Sequence, residues 1–255
     1  MSDLKEEPKV EKTDEVTETF EETTEESAPR QIDPSLEGIQ LFYETNKKMV
    51  TYVGGGLAVI IAVFCFYKFY YLPDKEKEAS NEIFWAQAFF ERDSFNLALK
   101  GGPMVAVPEG QKPMMGFEAI ADDYSMTKTG NLANYCAGIC YLRTGKFEQA
   151  IERLQMYSGD DDIIAPIAVG ATGDAYMEMN KVDEAIKFYL KAAETSNNSF
   201  TTPIYLRKAG LAYESKSNYG EALSIYERIK KEYAKSTEAK DIEKDIAKVK
   251  AIGNL

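Results

Sequence analysis

The chain has 255 residues, with 42 acidic against 30 basic side chains and a formal net charge of −12. No basic cluster gives a phosphate backbone its electrostatic footprint, which speaks against a nucleic-acid partner. Histidine is absent, and with it go the usual general base near neutral pH and the commonest zinc ligand.

The first 45 residues are the most acidic. Up to Lys48 there are fourteen acids and six bases. Between Ser2 and Pro29 the sizeable apolar residues are Leu4, Val10, Val16 and Phe20. That is too little apolar surface to offset chain entropy, so a disordered acidic tail is expected over 1–45. From Asp33-Pro34 onwards Leu36, Ile39 and Tyr43 recur at helical spacing, which predicts a short interfacial helix near its end.

Residues 49–67 hold no formal charge. As a helix they span about 28 Å, close to the hydrocarbon thickness of a bilayer. Lys47 and Lys48 stop the run on one side. On the other, Lys68 sits among Phe69, Tyr70, Tyr71 and Leu72, where its stem can snorkel and the rings suit the headgroup level. No small-residue cleavage site follows. A retained anchor over 46–72 is expected, with the tail in the cytoplasm and the folded part across the membrane. Gly54, Ala58 and Ala62, four apart, make a small-residue face that lets another helix approach closely; small residues are also common in membrane helices generally.

Beyond the anchor, 73–255 reads as one helical domain. Ala79, Ile83, Ala86 and Phe90 mark a first stripe, and Phe95, Ala98 and Leu99 a shorter second one, a helical pair over 75–100. The Gly101-Gly102-Pro103 run through Pro108 to Pro113 has no helical period, and such loops are mobile or functional. Cys136 and Cys140 lie four apart on a predicted helix, where Cβ vectors suit a disulfide poorly; buried thiols are the favoured reading.

Three segments then fall into register: Gly138-Ile-Cys-Tyr141, Gly173-Asp-Ala-Tyr176 and Gly210-Leu-Ala-Tyr213, at steps of 35 and 37 residues. Nine residues after each tyrosine stands Ala150, Ala185 or Ala222, and four further on Leu154, Tyr189 or Tyr226. Each unit also holds a turn, Thr144-Gly145-Lys146, Met179-Asn180-Lys181 or Lys216-Ser217-Asn218. This resembles the tetratricopeptide repeat, two antiparallel helices in about 34 residues. The repeats are placed at 131–164, 166–200 and 203–236, with 75–100 a degenerate copy. Glycine and alanine are expected at the closest approach of the paired helices, with the tyrosine filling the gap beside them. From about Ser236, Ala239, Ile242, Ile246 and Val249 share one side of a last helix, the polar-faced cap that an open solenoid needs. The fold class is thus all-α: a single membrane helix, a repeat solenoid and a capping helix.

Stacked pairs leave a groove lined by the first helix of each. Its outward positions are Tyr135, Ile139, Leu142 and Arg143, then Asp174, Met177 and Glu178, then Arg207, Leu211 and Glu214. Mixed apolar and charged side chains suit an extended peptide or an exposed helix. Equally, part of this surface could pack on the N-terminal helices or the cap. The lysine–asparagine–arginine clamp that some such domains use on a C-terminal carboxylate is not matched: its positions hold Tyr135, Ile139, Ala171, Ile204 and Lys208. No nucleophile elbow, phosphate loop or metal cluster is present, so neither an enzyme nor a bound cofactor or metal is expected.

The anchor, then Phe84-Trp85-Ala86-Gln87 and Asp93-Ser94-Phe95-Asn96-Leu97-Ala98, then the repeats, resemble the YfgM-like family of bacteria from about Asp33 to the end. The resemblance implies an ancillary subunit of the Sec translocon, single-pass in the inner membrane. Its domain would face the periplasm, contact emerging chains and work with a membrane-anchored periplasmic chaperone. An envelope scaffold for cell division or outer-membrane assembly would use the same fold.

Overall fold

The computed structural model describes residues 34–102 and 113–255. Most of the acidic tail, where disorder is expected, and most of the 101–113 loop lie outside those residues. The chain divides into two compact units, Met1–Ile60 and Ile61–Leu255.

In the first unit, α1 runs Pro34–Thr45, so the end of the expected tail is helical. Its Ile39, Phe42 and Tyr43 are exposed. Helix α2, Lys47–Phe66, begins there and buries none of its residues. Helical backbone continues to Phe90, and this is the one helix among the described residues long and apolar enough to cross a membrane, with a mean hydropathy of 2.2 over its best window. Gly54 has nothing within 4 Å of where a Cβ would sit, and Ala58 and Ala62 are likewise exposed.

In the second unit, a π-helical turn at Tyr67–Tyr71 stacks Phe66 on Tyr70 and Tyr67 on Tyr71, with centroids 5.4 and 5.6 Å apart. Helix α3, Leu72–Phe90, buries Ala79, Ile83 and Ala86. Helix α4, Phe95–Lys100, buries Ala98 and Leu99. Instead of a plain loop, Gly101–Gly102 (β1) then pairs antiparallel with Met114–Met115 (β2). Two glycines allow that crossing: a Cβ on Gly101 would lie 2.2 Å from the Met114 carbonyl, and one on Gly116 2.3 Å from the Gly101 nitrogen. A short helix, α5 at Phe117–Asp123, sinks Phe117, Ile120 and Ala121 into the core.

Three helix pairs follow: α6 (Lys128–Arg143) with α7 (Phe147–Met156), α8 (Ile164–Glu178) with α9 (Val182–Thr195), and α10 (Thr201–Ser215) with α11 (Tyr219–Glu232). Glu76 of α3 caps α6 from outside the pair, accepting from the Lys128 and Thr129 amides at 2.6 and 3.1 Å. Negative charge there meets both unpaired N–H groups and the positive helix end.

The turns within the pairs share one conformation. Gly145, Asn180 and Ser217 are all left-handed, at φ 74°, 57° and 59°. The next residue's amide then reaches back to Tyr141, Tyr176 or Tyr213, at 2.9, 2.9 and 3.0 Å. These 6→1 bonds close the first helix of each pair.

The close approach differs in one respect from expectation. Ala150, Ala185 and Ala222 are fully buried, but what fills the space over each glycine is the residue four beyond the alanine. A Cβ on Gly138 would lie 2.5 Å from Leu154, one on Gly173 2.7 Å from Tyr189 and one on Gly210 2.3 Å from Tyr226. A ring or isobutyl group of the second helix sits where the first helix has no side chain.

Helix α12, Ile242–Gly253, buries Ile242, Ile246 and Val249 in the cluster built by α9, α10 and α11. It covers the apolar end that an open stack leaves exposed.

Candidate partner-binding cleft

The first helices of the pairs, with parts of α3, α7 and α9, enclose a cleft of about 970 Å³. From α6 come Tyr135, Ile139, Leu142 and Arg143; from α8 Ile167, Ala171, Asp174, Met177 and Glu178; from α10 Tyr205, Lys208, Leu211 and Ala212. Phe90, Gly145, Phe147 and Tyr189 complete the lining. Eight of the ten groove positions read from the sequence meet here.

Arg207 and Glu214 do not. Arg207 donates to Asp245 of the cap at 3.0 Å. Glu214 takes the Tyr226 hydroxyl at 2.6 Å and pairs with Lys248 of the cap at 2.5 Å. The repeat period gives them the same register as their counterparts, but α12 lies over that stretch. Two groove candidates thus become fastenings for the cap. The face of Gly54, Ala58 and Ala62 belongs to α2.

Lys208 organises the cleft's polar side. Its ammonium donates to both Asp174 oxygens at 2.7 Å. It also stands 5.7 and 5.6 Å from the ring centres of Tyr189 and Tyr205, within cation–π reach. Tyr189 donates its hydroxyl to the same carboxylate at 2.7 Å. Burial, with Asp174 adjoining, pushes the Tyr189 and Tyr205 phenols above their ordinary range. Asp174 is thereby neutralised within the wall, while Arg143 and Glu178 at the rim are exposed.

Three residues of this arrangement were not read as groove lining: Tyr205, Tyr189, which entered only as a repeat-motif position, and Lys208, which entered only as a clamp position. Tyr205 stands five residues before its motif glycine, where the other two units have Ala133 and Ala168. Its ring fits because Gly170 faces it, and a Cβ there would come within 1.9 Å of Cε1. The pairing of an extra glycine with an extra tyrosine was the available sequence signal.

Chemically, the cleft offers apolar contact, hydroxyl donors and two separated rim charges. Among the described residues no group of three or more acidic or cysteine side chains could hold a metal ion. Cys136 and Cys140 are buried and free, and burial pushes both thiols up to about 12, far from the thiolate that reactivity requires.

Two profiles of the tetratricopeptide repeat match residues 171–199 and 205–236, the second and third pairs. No curated protein matches the sequence. Two crystal structures of the nearly identical TPR-like repeats of a kinesin light chain from Podosopora anserina, the second a substituted form, are similar at 12% identity. They cover 72% of this chain and 87% and 86% of their own, with TM-scores of 0.47 and 0.46. The chain thus carries tetratricopeptide repeats, a unit that serves as a scaffold for protein–protein interaction.

Proposed function

We propose that the protein is a membrane-anchored adaptor that holds a segment of a partner polypeptide in the cleft across α6, α8 and α10. The cleft carries this reading. It combines an apolar wall from Ile139, Leu142, Met177 and Leu211 with rim charges of both signs, a composition suited to peptide recognition. Helix α2 supports the anchor by its length and apolar character, with Lys47 and Lys48 on the cytoplasmic side and the repeats in the periplasm. The resemblance to YfgM-like proteins supports a finer reading: an ancillary subunit of the Sec translocon in a bacterial inner membrane that hands emerging chains to a membrane-anchored chaperone.

Exchanging Leu142 and Met177 for Asp places two charges on the apolar wall at positions that are only partly buried, so the fold should persist. Crosslinking in native membranes, followed by identification of the adducts, tests both levels. Translocon subunits or emerging chains should crosslink to the wild-type protein and be lost from the double variant. Adducts that are instead division or outer-membrane assembly proteins would replace the translocon reading. Unchanged adducts from a folded double variant would move the contact off the cleft.

A further inference from the structure

Two phenols in the cleft differ from Tyr189, which also lines it, and from Tyr226 outside it. Tyr189 and Tyr226 donate their hydroxyls to Asp174 and Glu214 at 2.7 and 2.6 Å. The hydroxyls of Tyr135 and Tyr205 meet no hydrogen-bond partner among the described residues. Tyr205 is only 6% exposed, yet no sealed side-chain oxygen among the described residues lacks a partner. Its hydroxyl therefore opens onto the cleft that the residue lines.

Neither group can easily turn away. The Tyr205 ring is wedged against Gly170 on one side and faces the Lys208 ammonium at 5.6 Å on the other. Tyr135 packs on Tyr157 with centroids 5.9 Å apart. It lies near enough to Tyr205 that its charge would disfavour ionisation there. Burial raises both phenols further from their ordinary values, so both stay protonated and both can donate. Lys208 uses two of its three protons on Asp174 and keeps one.

Donors fixed in an apolar trough constrain what fills it. A hydroxyl desolvated by a ligand and left unpaired opposes binding. The backbone carbonyls of an α-helix are already engaged by its own amides. An extended chain offers one free carbonyl per residue and directs alternate side chains to one face. We infer that the cleft takes its partner as an extended polypeptide segment, with backbone carbonyls accepting from Tyr135 and Tyr205 and alternate apolar side chains on Ile139, Leu142 and Leu211. This rests on the cleft being the partner site, and it selects one of the two partner shapes that the sequence leaves open.

The test uses the full chain in lipid nanodiscs and two probes. One is reduced, carbamidomethylated ribonuclease A, a permanently unfolded basic chain. The other is a hydrocarbon-stapled amphipathic helix. The variant Tyr135→Phe/Tyr205→Phe keeps both rings and removes both donors. It should bind the unfolded chain about tenfold more weakly, the effect of losing two ordinary hydrogen bonds, with unchanged circular dichroism. The stapled helix should bind more weakly than the unfolded chain, whichever variant is used. Wild-type affinity in the phenylalanine variant, or tighter binding of the stapled helix, overturns the inference. If Leu142→Asp/Met177→Asp still abolishes binding in that case, the cleft remains the partner site and only the extended shape is lost. If neither variant matters, or if neither probe binds the wild-type chain, the cleft reading falls as well.

Discussion

The second and third repeats place equivalent residues in opposite circumstances. Met177 and Glu214 both stand four residues beyond the motif glycine, as does Leu142 in the first repeat. Leu142 and Met177 line the cleft, whereas Glu214 lies against the cap, paired with Lys248 at 2.5 Å. Asp174 pairs with Lys208 of the next repeat at 2.7 Å; Arg207, one residue before Lys208, turns instead to Asp245 of the cap at 3.0 Å. A position within a repeat sets which way a side chain points. What it meets is set by the next layer, and for the third repeat that layer is α12.

Removing that layer should have the largest effect. Truncation before Ile242 takes away the buried side chains of Ile242, Ile246 and Val249. At about 1.5–3 kcal/mol for each, the loss is on the order of 5 kcal/mol or more. Urea denaturation of the detergent-solubilised protein should show the third pair unfolding well before the first two. A single transition at the wild-type midpoint would show that α12 contributes little.

The next effect concerns the device that brings Tyr205 into the cleft. Gly170→Ala puts a methyl group 1.9 Å from the Tyr205 ring. It should cost about 1–3 kcal/mol by overpacking, despite the better helix propensity of alanine. The same overpacking is expected for Ala185→Leu, since Ala185 is fully buried. Thermal unfolding checks both, and an unchanged melting temperature in either would show that the local packing has been misjudged.

Smaller shifts should follow the turns. Ser217 holds the left-handed conformation at φ 59° that Gly145 adopts at φ 74°. Ser217→Gly should therefore stabilise the third pair by about 0.5–1 kcal/mol, and Gly145→Ala should destabilise the first by a similar amount. Equal and same-signed changes would contradict the shared turn geometry.

The effect smallest near neutral pH is a pH dependence. Burial raises the Cys136 and Cys140 thiols from 9.0 to about 12. The folded state thus favours the protonated form. Its contribution is fully present below the unfolded value and fades as pH rises from about 9 towards 12. Iodoacetamide at pH 8 should spare both thiols in the folded protein and modify them in urea. Rapid modification of the folded chain would show that α6 opens locally.

The repeats were legible because helix pairing imposes chemistry at a fixed spacing: glycine where a ring must fit, alanine beside it and a left-handed residue in the turn. The core stripe Ala79, Ile83 and Ala86 and the cap stripe Ile242, Ile246 and Val249 were legible for the same reason, since burial follows the helical period. What sits over each glycine was not, because Leu154, Tyr189 and Tyr226 belong to the partner helix and the period alone does not say which side chain crosses. The β1–β2 crossing escaped because two residues are too short to show a period. Arg207 and Glu214 were misplaced because the repeat carries no record of its neighbour. Tyr205 was hidden by breaking the register that revealed everything else.

A photoreactive side chain substituted singly at Leu142, Met177 or Glu214, followed by irradiation of native membranes, tests the cleft most directly. Adducts to other polypeptides should form from Leu142 and Met177, and only a link to α12 of the same chain from Glu214. Partner adducts from Glu214 with none from Leu142 or Met177 would contradict the account.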